Sequence, residues 1–396
     1  MPHTLAPSPQ DETASPPASG DAGMPPFSST GPVAGPAETH DFRFTGAGME
    51  YFRIWIVNLL LSLVTLGIYS AWAKVRKKRY FYGNTWVADS NFEFHGRPLS
   101  ILKGRIIAVL ALGAYSAASY LSPKLGQVLF VLLVAVSPWF IARTFAFNAH
   151  YSSYRQLRFR NVATTREVYA AVWPFFIVAI AALVLSPELE PGQVALSTAE
   201  WIGLMLPSLL ALFAYPYVFG AIKCVHVNRS FYGGAPFALD AGIGRFYALY
   251  VKAYIIGLIA IVCFGFFAMI VVMIPVIGFA LMFGAYLVAG AAIFGYLRSR
   301  VGNLVFNATT LEGGVSFRST LSATLLARLY FTNLLGIMLS LGLLIPWAAV
   351  RVARYRASQL ALVSTGPLDA YLAARGREVA ATGEELGDFF DVDLSL

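Results

Sequence analysis

Apolar runs separated by polar breaks organise the chain, at 54–73, 101–121, 125–147, 168–186, 201–222, 246–270, 276–297 and 323–350. Several run for about 20 residues without a charge, the length a helix needs to cross a ~30 Å hydrocarbon core. The breaks are of two kinds. Three are short and poor in positive charge: "SPKLG" at 122–126, "SPELEPGQVALSTAE" at 186–200 and "IPVIG" at 274–278. Four are longer and basic, and alternate apolar with polar residues about a Gly/Asp/Ser/Asn-rich middle, as β-hairpins do. In "YFYGNTWVADSNFEFHG" the turn is expected at Asp89-Ser90-Asn91.

The pattern repeats. A Phe-x-Phe-x-Gly-like stretch starts at Phe42 ("FRFTG"), Phe92 ("FEFHG"), Leu157 ("LRFRN"), Phe237 ("FALDA") and Val315 ("VSFRS"), each before an apolar segment. The four basic breaks carry Asn84, Asn148, Asn228 and Asn307 at comparable positions. Residues 58–80 and 333–355 align without gaps and agree at 11 of 23 positions, among them Asn58/Asn333, Gly67/Gly342, Trp72/Trp347, Arg76/Arg351, Arg79/Arg354 and Tyr80/Tyr355.

Composition excludes a soluble protein. The chain is 57% hydrophobic and 13% charged, against about 25% charged in soluble domains, and its mean hydropathy is +0.64. Residues 1–40 lack Lys and Arg and are rich in Pro, Ala, Ser and Gly, which predicts a disordered tail rather than a signal peptide. The expected organisation is this tail, a transmembrane domain over 41–356 and an acidic cytoplasmic tail over 357–396.

Charge supplies orientation. Most of the 29 Lys and Arg lie in the four hairpin breaks and after 350, so those segments are expected in the cytoplasm. Eight single spans would put Arg351 and Arg354 on the far side from Arg76 and Arg79, their repeat partners. Five excursions that each leave and return resolve this. Three would contain two full spans; those at 54–73 and 323–350 are too short and would re-enter. The expectation is an all-α polytopic membrane protein built from internal repeats, with six full spans plus two re-entrant helical hairpins, short cytoplasmic β-hairpins and both termini cytoplasmic. Eight spans, with the N-terminal tail outside, is the alternative.

"FRFTGAGMEYFRIWIVNLLLSLVTLGIYSAWAKVRKKRYFYGNT", "RVGNLVFNATTLEGGVSF" and the ending "GEELGDFFDVDLSL" resemble the YjgN family of bacterial inner-membrane proteins over about 41–396. The resemblance implies a multi-pass protein of the bacterial inner membrane. It brings no catalytic residues with it.

Candidate chemistry is sparse. The apolar cores hold no Asp or Glu, which weighs against proton-coupled transport; Lys252 and Arg328 lie near enough to the boundary to snorkel. Asn58 and Asn333 are amides in apolar helices, acting as interhelical glue or lining a pathway. Lys74, Arg76, Lys77, Lys78 and Arg79, with Arg351 and Arg354, are candidate contacts to anionic lipid headgroups. Spacings of His95, His150 and His226 match no metal motif, Cys224 and Cys263 form no Cys-x-x-Cys, and no phosphate-cradling loop is present. No catalytic residue, metal or cofactor is expected, nor nucleic acid. The acidic C-terminal end, with Phe389 and Phe390, is read as docking on the chain's own basic face or on a cytoplasmic partner. Passive or lipid-linked transport, a non-transporting envelope scaffold and an intramembrane enzyme acting on lipid remain as functions.

Overall fold

The computed structural model describes residues 37–187 and 197–382. Five helix pairs alternate with short strands. The chain opens with β1 (Glu38–Asp41) and β2 (Arg43–Phe44), then α1 (Gly48–Val64) and α2 (Ser70–Gly83). Next come β3 (Thr85–Val87), β4 (Ser90–Phe94), α3 (Pro98–Leu121) and α4 (Pro123–His150). The third unit is β5 (Ser152–Tyr154), β6 (Leu157–Asn161), α5 (Thr165–Leu185) and α6 (Thr198–Asn228). The fourth is β7 (Ser230–Tyr232), β8 (Ala235–Leu239), α7 (Ile243–Met273) and α8 (Pro275–Asn307). The last is β9 (Thr309–Leu311), β10 (Val315–Ser319), α9 (Ala323–Leu339), α10 (Ile345–Ser358), β11 (Leu360–Ser364) and α11 (Leu368–Thr382).

Among the described residues six helices, α3 to α8, are long and apolar enough to cross a membrane. Their starts follow local chemistry. Pro98 and Pro123 open α3 and α4 at positions that need no amide donor. Thr164 and Glu167 cap α5 reciprocally, as Ser197 and Glu200 cap α6. Away from the strands these helices bear large exposed apolar side chains, such as Leu258 and Met273. Such a surface needs lipid around it.

An all-α fold with separate hairpins is not what forms. The strands join in one eleven-stranded antiparallel sheet ordered β1-β11-β10-β9-β8-β7-β6-β5-β4-β3-β2. Its two edges, β1 and β2, are consecutive in the chain, and the Phe42 amide between them bonds the Leu360 carbonyl at 2.9 Å. The sheet is therefore barrel-like and closed by its own first strand, which removes the free edges that isolated hairpins would expose. Ordered structure also passes the expected tail boundaries, because β1 starts at Glu38 and both β11 and α11 follow residue 356.

The hairpin turns need left-handed residues, as two-residue type I′ turns do. Three are two-residue turns, Ala88-Asp89, Arg155-Gln156 and Gly233-Gly234, all with positive φ; the fourth, Glu312-Gly313-Gly314 between β9 and β10, has positive φ at both glycines. The first turn thus sits one residue before the expected Asp89-Ser90-Asn91, and Ser90 and Asn91 belong to β4.

Aromatic side chains fill the ring. The third residue after each turn is Phe92, Phe159, Phe237 or Phe317, and Phe42 joins them in the same core. Phe42 stacks on Phe92 at 6.2 Å, and Phe237 lies 6.4 Å from both Phe159 and Phe317. Tyr154 and Tyr232 fill the gap between them, and Leu368 and Leu372 of α11 pack against the same core. The expected motif register was therefore two residues early at Leu157 and Val315. Those positions also face the core, because side chains alternate along a strand and a shift of two keeps the face.

Candidate functional site

The two short helix pairs are built alike. At the tip of α1–α2 the Gly67 amide bonds the Ser62 carbonyl at 2.7 Å; at the tip of α9–α10 Gly342 bonds Ile337 at 2.8 Å. Leu66 and Leu341 each hold φ 50°. This is a Schellman closure with leucine at the left-handed position, where a Cβ costs ~1–2 kcal/mol. Both leucines are almost fully exposed, at 94% and 95%. At the base, the Tyr80 hydroxyl accepts the Ala47 amide at 2.9 Å and that of Tyr355 accepts the Ser322 amide at 3.0 Å.

The pairs lie side by side through α1 and α10. Phe52 meets Trp347 at 5.1 Å, and a Cβ on Gly48 would come within 2.3 Å of the same indole. Glycine is required for that approach. Arg354 Nη2 donates to the Gly46 carbonyl at 3.0 Å, tying the second pair to the start of the first.

Arg53, Arg76 and Arg79, with Ile54, Val57 and Tyr80, line an open groove of about 510 Å³ on the first pair, whose surface is almost wholly apolar and includes the arginine stems. Arg79 also donates to the Phe94 carbonyl at 3.3 Å, and Arg76 lies 5.8 Å from the Tyr69 ring. None of the three is ion-paired among the described residues. Glu50 lies nearby, with a carboxylate oxygen accepting from Tyr80 at 3.2 Å. Arg53 was missed by the sequence reading. Its signal lies five residues before the aligned stretch, where Arg53 and Arg328 share the same 275-residue offset.

The other candidate residues separate. Lys74 and Lys77 are exposed on α2. Lys78 is turned inward: its ammonium donates to Asn148 Oδ1 at 2.6 Å and lies 4.4 Å from the Phe94 ring. Burial, and then Lys74, lower its pKa. Asn58 is buried with no partner for Oδ1, whereas Asn333 Oδ1 accepts from Arg351 at 3.3 Å. Of the four hairpin asparagines, Asn228 and Asn307 act alike, accepting the amides of Leu239 and Ser319, the fifth residues of their strands. Asn84 accepts instead from the Thr45 hydroxyl, and Asn148 takes Lys78. Glu384, Glu385, Asp388, Phe389, Phe390, Asp391 and Asp393 lie outside the described residues.

A family model described as "Bacterial protein of unknown function (DUF898)" matches residues 39–389. The chain belongs to that family. It is also similar to the inner membrane protein YjgN of Salmonella typhimurium, at 32% identity over 149 residues, 37% of this chain and 36% of the relative. The protein of the same name from Escherichia coli O157:H7 is 26% identical over 193 residues, 48% of this chain and 41% of that one. These matches span well under half the length of the relatives. No solved structure matches. The chain is a polytopic helical membrane protein whose relatives are inner membrane proteins.

Proposed function

We propose that this protein handles anionic phospholipid in the bacterial inner membrane by passive, lipid-linked transport along the sector occupied by its two short helix pairs. The side-by-side placement of these pairs carries the reading. Helices of 17 and 14 residues reach ~25 and ~21 Å, less than a ~30 Å hydrocarbon core. The exposed leucine tips Leu66 and Leu341 favour a hairpin that dips into lipid and returns. On this reading the five helix pairs are copies of one unit, and the strand ring and both termini are cytoplasmic. The sector between α3 and α8 is then only part-depth, with arginines at its cytoplasmic end. Hydrophobic mismatch of this kind thins the bilayer locally.

Reconstitution into liposomes containing fluorescent phosphatidylglycerol tests the reading. Transfer of probe between leaflets should accelerate with protein density and without an energy source. Folded protein that leaves transfer at the protein-free rate would defeat it in favour of the scaffold reading, which the side-chain-filled ring supports by offering solutes no path through the sheet. Reporter fusions at the N-terminus and after Leu396 test the orientation; signal from the periplasm at either end overturns it.

A further inference from the structure

The two short pairs share their arginines but not their wiring. In the second, Arg351 Nη1 donates to Thr332 Oγ1 at 3.1 Å and to Asn333 Oδ1 at 3.3 Å, so its guanidinium is held against its own hairpin. In the first, position 57 is valine where the 275-residue offset places Thr332. Without the hydroxyl, Arg76 has one inward acceptor fewer. It stands over Tyr69 instead, Asn58 Oδ1 is left buried and unpaired, and the groove with Arg53 and Arg79 opens. Arg79 and its counterpart Arg354 are alike in this respect, each donating to one backbone carbonyl, that of Phe94 and that of Gly46, so the difference between the pairs lies at Arg76 and Arg351.

We infer that the first short pair carries a headgroup site for one anionic phospholipid, formed by Arg53, Arg76 and Arg79, and that Thr332 closes the corresponding site on the second. The occupant is a phosphate diester with acyl chains. Guanidinium groups match phosphate oxygens in charge and geometry. Ile54 and Val57 continue into Leu60, Leu63 and Val64, exposed apolar side chains along which an acyl chain lies. The site names the headgroup class for the lipid-handling reading above and rests on it only in placing the hairpin in lipid.

Native mass spectrometry of the full chain, titrated with phosphatidylglycerol or phosphatidylcholine in detergent, tests it. Wild type should retain one phosphatidylglycerol in preference to phosphatidylcholine, and R53Q/R76Q should weaken that retention about tenfold. V57T, which supplies Arg76 with its missing acceptor, should weaken it without removing any charge. T332V should add a second bound phosphatidylglycerol, so the inference stays testable even if V57T fails to fold. Equal retention of the two lipids, or T332V binding identical to wild type, overturns the site. Displacement by soluble glycerol phosphate would show a free phosphate ester as the ligand and overturn the lipid assignment. Binding retained without translocation defeats only the transport reading; translocation retained without selective binding defeats only this one.

Discussion

Arg155, in the second hairpin turn, is ion-paired with Asp369 at the start of α11, 214 residues later. The same guanidinium reaches the Ala88 carbonyl and Ser90 Oγ, so one side chain joins two turns to the C-terminal helix. The hydrogen bond from Arg155 and then its charge hold the Asp369 carboxyl below the usual carboxylate range. With the folded value lowered, this contribution is complete above an unfolded value of about 4 and is lost as pH falls through the lowered one. Amide protection of 368–382 should therefore hold from neutrality to about pH 4 and decline below it. D369N should show the weaker protection throughout. Because the carboxylate is largely exposed, salt should reduce the effect; protection that ignores both pH and salt would show that Leu368 and Leu372 dock the helix unaided.

Phe237 stands between Phe159 and Phe317 in the ring core. F237A should cost about 3 kcal/mol, the lower end for phenylalanine because the ring is only partly buried. Thermal unfolding in detergent reads it. A loss no larger than that of an exposed residue such as Leu258 changed to alanine would mean the ring core does not hold the fold.

Gly295 on α8 lies against α9, where an added Cβ would fall 2.5 Å from the Ala327 amide nitrogen. G295A should lower thermal stability by forcing the helices apart, since small residues set such approaches in membranes. Gly284 on the same helix meets nothing within 4 Å, so G284A is the control and should be neutral or stabilising. Equal effects would contradict the close approach.

Asn58 and Asn333, equivalent in sequence, should respond differently to leucine. N58L removes a buried carbonyl without a partner and should leave thermal stability unchanged or raised. N333L removes an acceptor of Arg351 and should cost about 1 kcal/mol. Matching losses for the two variants would refute the asymmetry.

The helices and their returns were legible because twenty uncharged residues in a row have few alternatives, and Pro123 or the Ser197 capping box marks a start locally. The strands were legible as strands. Their closure was not: whether Glu38–Asp41 finds Leu360–Ser364 depends on pairing across the whole chain, which no local period records. Register slipped at Leu157 and Val315 because a two-residue slide keeps every side chain on its face; the rings of Phe159 and Phe317 decide it only in three dimensions. In the groove, Arg76 was legible from charge next to an apolar run. The difference between Arg76 and Arg351 was not, because it turns on one hydroxyl at position 332 and on where a long side chain comes to rest.

The pairing of β1 with β11 sets an order on biogenesis. The first strand leaves the ribosome long before its neighbour exists, and it stays an unpaired edge while every helix pair is being inserted. Ring closure thus follows all five helix pairs, available only once Ser364 has emerged. Nascent chains halted before Leu360 should expose 38–41 to protease or to a chaperone, and should carry their helices in the bilayer with no finished lid beneath them.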